Sequence, residues 1–192
     1  MLGGTLTNLL TNVIRGDPGT TGFTPANRGV DLYVSCALDG DIEEFNTNGD
    51  LIGQFGSFTT PMGIADSADR YYWIADAAGA LYEYNWEGDC IITVTSHLIS
   101  PWGVVIDIDG NLWVTDAGNG CVSEFNLSSG DYIGSFGSGT LSVPQFLTID
   151  GMGNFWVVDA GNKCVSRFDN NKAYINSFGS EVLSGPQGIM VY

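Results

Sequence analysis

Residues 101–126 read PWGVVIDIDGNLWVTDAGNGCVSEFN, and residues 144–169 repeat this stretch as PQFLTIDGMGNFWVVDAGNKCVSRFD. An internal copy of this length indicates that the chain is an array of one small structural unit. The array extends in both directions, because prolines recur at intervals of 40, 43 and 42 residues at Pro61, Pro101, Pro144 and Pro186. We therefore expect units at about 21–60, 61–100, 101–143 and 144–185, a partial fifth unit at 186–192, and a separate N-terminal segment at 1–20.

Each unit predicts four short strands separated by turns. In the third unit we expect strands at 103–106, 112–115, 121–125 and 132–136, because these stretches are rich in Val, Ile, Trp, Tyr and Phe. The turns between them carry the Asp, Asn and Gly residues that tight turns favour. Nearly every strand position is apolar, so both faces of each unit should be buried. Four strands in forty-odd residues predict an all-β fold, a β-propeller of four-stranded antiparallel blades.

The repeated residues resemble the NHL repeat. The pattern is Pro-x-Gly-Val/Ile, then Gly-Asn-Leu/Phe-Trp-Val, then Asp-x-Gly-Asn-x-x-Val-x-x-Phe, with its best copies at 101–125 and 144–168 and weaker copies at 61–84 and 31–45. The resemblance covers roughly residues 21–192 and implies a propeller. It implies no single activity, since NHL propellers include lyases, hydrolase-like enzymes, RNA-binding domains and protein-docking platforms.

The charge of the chain bears on its partners. Lys and Arg number 6 and Asp and Glu number 22, for a net charge of −16. Such a chain repels phosphate backbones and anionic lipid surfaces, so we expect no nucleic-acid partner. No apolar run is long enough to span a membrane, and we expect no membrane insertion. The N-terminus lacks the pattern of a signal peptide, but a processed segment would already have been removed, so the compartment stays open, with an extracellular or cell-surface location favoured.

Three aspartates and one histidine are the candidate binding residues. The aspartates recur at the end of the second strand of successive units and could form a one-sided arc of carboxylates suited to calcium. We favour the alternative that each closes a turn by accepting backbone N–H groups. The lone histidine lies in the connection between two units and could act as a base or ligand beside a carboxylate, although we favour a plain loop residue. The four residues are Asp76, Asp116, Asp159 and His97.

No residue set predicts a cofactor. We expect no cofactor, with calcium left open as a ligand of the aspartates, and we assign no catalytic residue. The four cysteines show no Cys-x-x-Cys pair for zinc. They are expected to be small buried side chains, with a crosslink from Cys36 or Cys90 left open; the other two are Cys121 and Cys164.

The unfinished ends of the array are the candidate assembly segments. The C-terminal residues predict the innermost strand of a fifth unit, and residues 5–15 predict outer strands that pair with it, either within one chain or between neighbouring chains. The residues concerned are Gly188, Ile189, Met190, Val191 and Tyr192 at one end and Thr11, Val13 and Ile14 at the other.

Two functions remain open on the sequence. The first, which we favour, is a non-enzymatic binding or self-assembling scaffold, such as a subunit of an extracellular fibre or particle, whose partner is a second copy or another protein. The alternative, implied by the resemblance, is a lyase- or hydrolase-type enzyme with a metal at the propeller axis. The residues expected nearest that axis are of no catalytic type: Ala65, Val105, Thr148 and Met190.

Overall fold

The computed structural model describes residues 32–67 and 71–191, which form fifteen β-strands and no α-helix. The strands are short, and most are rich in β-branched and aromatic residues, as expected for strands buried on at least one face. They are β1 (Leu32–Cys36), β2 (Asp41–Phe45), β3 (Leu51–Phe55), β4 (Pro61–Ser67), β5 (Tyr71–Asp76), β6 (Ala80–Asn85), β7 (Cys90–Val94), β8 (Pro101–Ile106), β9 (Asn111–Asp116), β10 (Cys121–Asn126), β11 (Tyr132–Phe136), β12 (Pro144–Ile149), β13 (Phe155–Asp159), β14 (Cys164–Phe168) and β15 (Tyr174–Phe178).

The strands form four antiparallel sheets in chain order, one for each predicted unit. Sheet 1 contains β1–β3, sheet 2 contains β4–β7, sheet 3 contains β8–β11 and sheet 4 contains β12–β15. Within each sheet, every strand pairs with the next one along the chain. The four-stranded antiparallel unit is thus confirmed. Sheet 1 has three strands among the described residues, and the remaining strand predicted for this unit falls before Leu32, outside the described residues.

Consecutive sheets pack face to face and enclose three apolar cores. We call the face of a sheet that is turned to the next sheet its forward face, and the opposite face its backward face. The core between sheets 2 and 3 joins Trp73 and Leu81 to Leu112 and Phe125, all of them fully buried. The other two cores use equivalent positions. Because side chains alternate between the faces of a strand, each middle sheet supplies one set of residues to each core.

The innermost strand predicted for a fifth unit does not form among the described residues. Residues 186–191 form no strand, although Gly188–Tyr192 was expected to be an innermost strand. A strand is stable only when it is hydrogen-bonded to a neighbour, and no described strand pairs with this segment. The pairing segment predicted for it, with Thr11, Val13 and Ile14, lies outside the described residues, as does Tyr192.

The cysteines correct a second expectation. All four are free thiols, and Cys121 and Cys164 are buried as predicted. Cys90, however, is exposed at the start of an outer strand, and Cys36 is only partly buried at the end of β1. Cys121 and Cys164 lie between two packed sheets, whereas no described sheet covers the backward face of sheet 1, where Cys36 lies, and Cys90 is on the outermost strand of sheet 2.

Candidate functional site

The recurrent aspartates are buried and bind backbone N–H groups. Asp116, which is fully buried, accepts hydrogen bonds from the N–H groups of Ile99 at 3.0 Å and Ser100 at 2.9 Å. It also accepts from Gly118 and Asn119 in its own turn. Each carboxylate oxygen therefore already has donors, and the side chain ties the connection between two sheets to the turn that follows β9.

The same arrangement occurs in the sheets on either side. Asp76 accepts from the N–H groups of Thr59 and Thr60, both at 2.8 Å. Asp159 accepts from those of Ser142 at 2.9 Å and Val143 at 3.0 Å. The donors lie 17 and 16 residues before the aspartate in every case, so the spacing is part of the repeat. The three carboxylates face peptide groups rather than a shared space that a cation could enter.

His97 lies beside one of these aspartates but does not bind it. Its carbonyl oxygen accepts a hydrogen bond from the side-chain amide of Asn119, and the same amide nitrogen binds Asp116 at 2.7 Å. The imidazole is exposed and stacks on Tyr132, with ring centroids 4.1 Å apart and planes 6° apart. Asn119 therefore links the backbone of His97 to the carboxylate of Asp116, while the His97 ring lies against the outer strand β11.

Two further aspartates make a hydrogen bond that the sequence analysis did not predict. Asp107 and Asp150 begin the turns after β8 and β12, and each accepts a hydrogen bond from the indole N–H of a tryptophan six residues later, Trp113 at 2.8 Å and Trp156 at 2.9 Å. Burial alone would raise the pKa of Asp150, but hydrogen bonds from Asn154 and the indole hold that pKa below its usual range. The repeated spacing from Asp to Trp was the available signal.

A polar cleft opens between sheets 3 and 4 on the side of these turns. Its volume is about 480 Å³, and its lining includes Asp107, Asp150 and Glu124. The ammonium of Lys172 crosses the cleft, lying 2.8 Å from the carboxylate of Glu124 and 4.7 Å from the ring centre of Trp113. Lys172 has a φ of 69°, a left-handed conformation that glycines adopt at the equivalent positions Gly49, Gly88 and Gly130.

Among the described residues, no sheet covers the forward face of sheet 4, unlike the forward faces of the other sheets. Phe178 is 49% exposed, whereas the equivalent Phe136 in sheet 3 is 9% exposed. Trp156 is partly exposed, whereas Trp113 is buried. The guanidinium of Arg167 lies over Trp156, 4.7 Å from its ring centre. This face thus presents aromatic side chains and a cation where the other sheets have a covered core.

Sheet 1 carries a cluster of possible metal ligands that the sequence analysis also missed. One ligand atom each from Cys36, Asp41 and Glu43 lies within 4.8 Å of the other two. Burial, together with the charges of Glu43, Asp41 and Asp39, raises the pKa of the Cys36 thiol to about 12. The signal in the sequence was Cys36 itself, which stands where the other units have aspartate.

Comparisons with known proteins agree with this fold. The NHL repeat family matches residues 98–125, from the connection bound by Asp116 to the end of β10. No curated protein matches the chain. The described residues contain no helix that is long and apolar enough to cross a membrane.

Solved structures are similar at low sequence identity. A selenomethionine-substituted virginiamycin B lyase from Staphylococcus aureus is 15% identical with a TM-score of 0.65, over 78% of this chain and 52% of that chain. A catalytically inactive virginiamycin B lyase from the same organism with quinupristin is 17% identical with a TM-score of 0.70, over 83% and 56%. Hydrazine synthase from Kuenenia stuttgartiensis is 14% identical with a TM-score of 0.66, over 77% and 45%.

These likenesses concern the fold. The identities are too low to carry an activity from one protein to another, and the chain spans about half the length of the structures that it matches. The repeated four-stranded sheets, the matched repeat at 98–125 and the similar propeller structures agree with one another. This chain therefore has a β-propeller-like fold, and its residues 98–125 match the NHL repeat.

Proposed function

We propose that this chain is a non-enzymatic, self-assembling scaffold that associates with a second copy through the open forward face of sheet 4. The observation that carries the proposal is the exposure of Phe178 and Trp156, whose equivalents in sheet 3 are covered by sheet 4. A face that is buried everywhere else in an array keeps the shape and chemistry of an interface when it is left open.

The composition of this face supports association. Phe178 and the turn after it, with Val182 83% exposed, form an apolar surface at the end of the sheet. Aromatic side chains and arginine are enriched at the centres of protein interfaces. Arg167 adds a cation to a chain whose net charge is −16, so an acidic surface of a second copy is a suitable partner for it.

The surroundings of the candidate binding residues support the same proposal. Asp76, Asp116 and Asp159 bind peptide N–H groups, and the ring of His97 stacks on Tyr132. The alternative, a lyase- or hydrolase-type enzyme with an axial metal, rests on likeness of fold to virginiamycin B lyase and streptogramin B lyase. Fold alone is a weak argument for activity, because one fold serves many functions.

The test is the solution mass of the chain by light scattering over a range of concentrations and salt. We expect concentration-dependent assembly that strengthens with salt, because salt screens the repulsion between acidic copies. Phe178→Asp should abolish assembly. Ile108→Asp, at a fully exposed turn position, is the matched control and should leave it intact. A monomer under all conditions, or equal assembly by Phe178→Asp, would contradict the proposal.

A further inference from the structure

Sheet 1 differs from the other sheets at three positions whose side chains lie close together. Cys36, Asp41 and Glu43 each replace a residue of different chemistry in all three later units. The later units have an aspartate in place of Cys36, a small residue or cysteine in place of Asp41, and an uncharged hydroxyl side chain in place of Glu43: Asp76, Asp116 and Asp159; Ala80, Cys121 and Cys164; Tyr82, Ser123 and Ser166.

The hairpin of β1 and β2 brings the three side chains together. Cys36 is the last residue of β1 and pairs directly with Asp41, the first residue of β2. Glu43 lies two residues further along β2, so its side chain points to the same face as that of Asp41. One ligand atom from each of the three lies within 4.8 Å of the others.

Asp41 supplies a second observation, which is independent of this proximity. Its Oδ1 atom is buried and has no hydrogen-bond partner among residues 32–67 and 71–191. A buried carboxylate oxygen without a donor is costly, and native proteins almost always give such an atom a partner. The corresponding positions in the other sheets carry no charge, so nothing in the repeat itself explains this oxygen. A bound cation would provide the partner.

We propose that Cys36, Asp41 and Glu43 form a binding site for a divalent transition metal of the zinc type. A thiolate with two carboxylates suits zinc, which accepts sulfur and oxygen ligands, and does not suit calcium or magnesium, which take oxygen alone. Zinc–ligand distances of about 2.0–2.3 Å place tetrahedral ligands roughly 3.5 Å apart. Side-chain movements of about 1 Å would therefore bring the three ligand atoms to the separation that zinc requires. The site lies on sheet 1 and does not depend on assembly through sheet 4.

Cobalt(II) is the probe, because it replaces zinc and its bond to a thiolate gives an ultraviolet charge-transfer band. The reduced 192-residue chain should bind one cobalt ion with that band, and zinc should displace it. Cys36→Ser should lose the band. Asp41→Asn and Glu43→Gln should each weaken binding at least about tenfold, since even residues that only support a ligand change affinity by 10- to 100-fold.

Cys90→Ser is the matched control, because Cys90 is an exposed free thiol on another sheet. It should keep both the band and the affinity of the unchanged chain. Circular dichroism of every variant shows whether the fold survives. The proposal is overturned if cobalt binds without a thiolate band, if Cys90→Ser removes the band, or if folded Asp41→Asn and Glu43→Gln bind as the unchanged chain does. An axial metal of an enzyme would instead persist in Cys36→Ser.

Discussion

Sheets 3 and 4 have similar sequences and different surroundings. On its forward face, each sheet carries a tryptophan from the second strand and a phenylalanine from the end of the fourth strand. In sheet 3 these residues are covered by sheet 4, and Phe136 contacts Phe155 and Phe168 across the interface, with ring centroids 4.9 and 5.0 Å apart. In sheet 4 the equivalent Phe178 is half exposed and lies 6.2 Å from Trp156 of its own sheet.

The difference shows that a consensus residue of a repeat does not have a fixed energetic role. The aspartate of the turn is buried in both sheets, because its donors come from the connection that precedes the same sheet. The aromatic residues of the forward face depend on the next sheet. The turn aspartate thus finds its hydrogen-bond donors within its own unit, whereas the forward face is buried only where a neighbouring sheet packs against it.

The largest effect on stability is expected from replacing the two phenylalanines. Phe136→Ala should lower the free energy of unfolding by about 3–5 kcal/mol, because it leaves a cavity between two sheets. Phe178→Ala should cost only about 1 kcal/mol in the monomer, because half of its surface is already in water. Urea unfolding at low protein concentration measures both. Equal losses would mean that the forward face of sheet 4 is covered in solution.

Replacing the buried Asp116 should have the second-largest effect on stability. Asp116→Ala should cost about 3 kcal/mol, since it removes charged hydrogen bonds and leaves the N–H groups of Ile99 and Ser100 unpaired. Asp109→Ala, at an exposed position of another turn, is the control and should stay within about 0.5 kcal/mol of the unchanged chain. If the two variants unfold alike in thermal denaturation, Asp116 does not tie the connection to the turn.

The smallest effect concerns Lys172, which joins the two sheets. Lys172→Ala should cost about 1 kcal/mol at low salt, because it removes the ion pair with Glu124 and the contact with Trp113. Lys172→Gly should recover most of that loss, since glycine adopts the φ of 69° without strain.

The control for Lys172 is a second left-handed lysine, Lys163, whose φ is 55°. Lys163→Ala should change stability little, because the described residues give Lys163 no ion pair. The cost of Lys172→Ala should shrink at high salt, as expected for a partly exposed pair. A cost that does not depend on salt would assign the role of Lys172 to packing alone.

Much of the fold could be predicted because the repeat states it several times. The strands of sheet 3 begin and end within two residues of their predicted positions, since β-rich runs and Asp-Gly turns are local signals. The absence of the strand expected at residues 188–191 could not be predicted from local signals, because strand pairing depends on a partner outside the segment. The turn aspartates were recognised as a set, but their distant N–H donors were not, because the donors are peptide groups with no sequence signature.

The sequence by itself determined the repeating unit, its four antiparallel strands and the acidic character of the chain, because these depend on local propensity, periodicity and charge. Only the tertiary structure decided which consensus residues are covered and which are open, and that Cys36, Asp41 and Glu43 meet on one face of sheet 1. Burial and ligand geometry depend on what packs against a face. The repeated sequence specifies the fold of one unit and does not specify what packs against that unit.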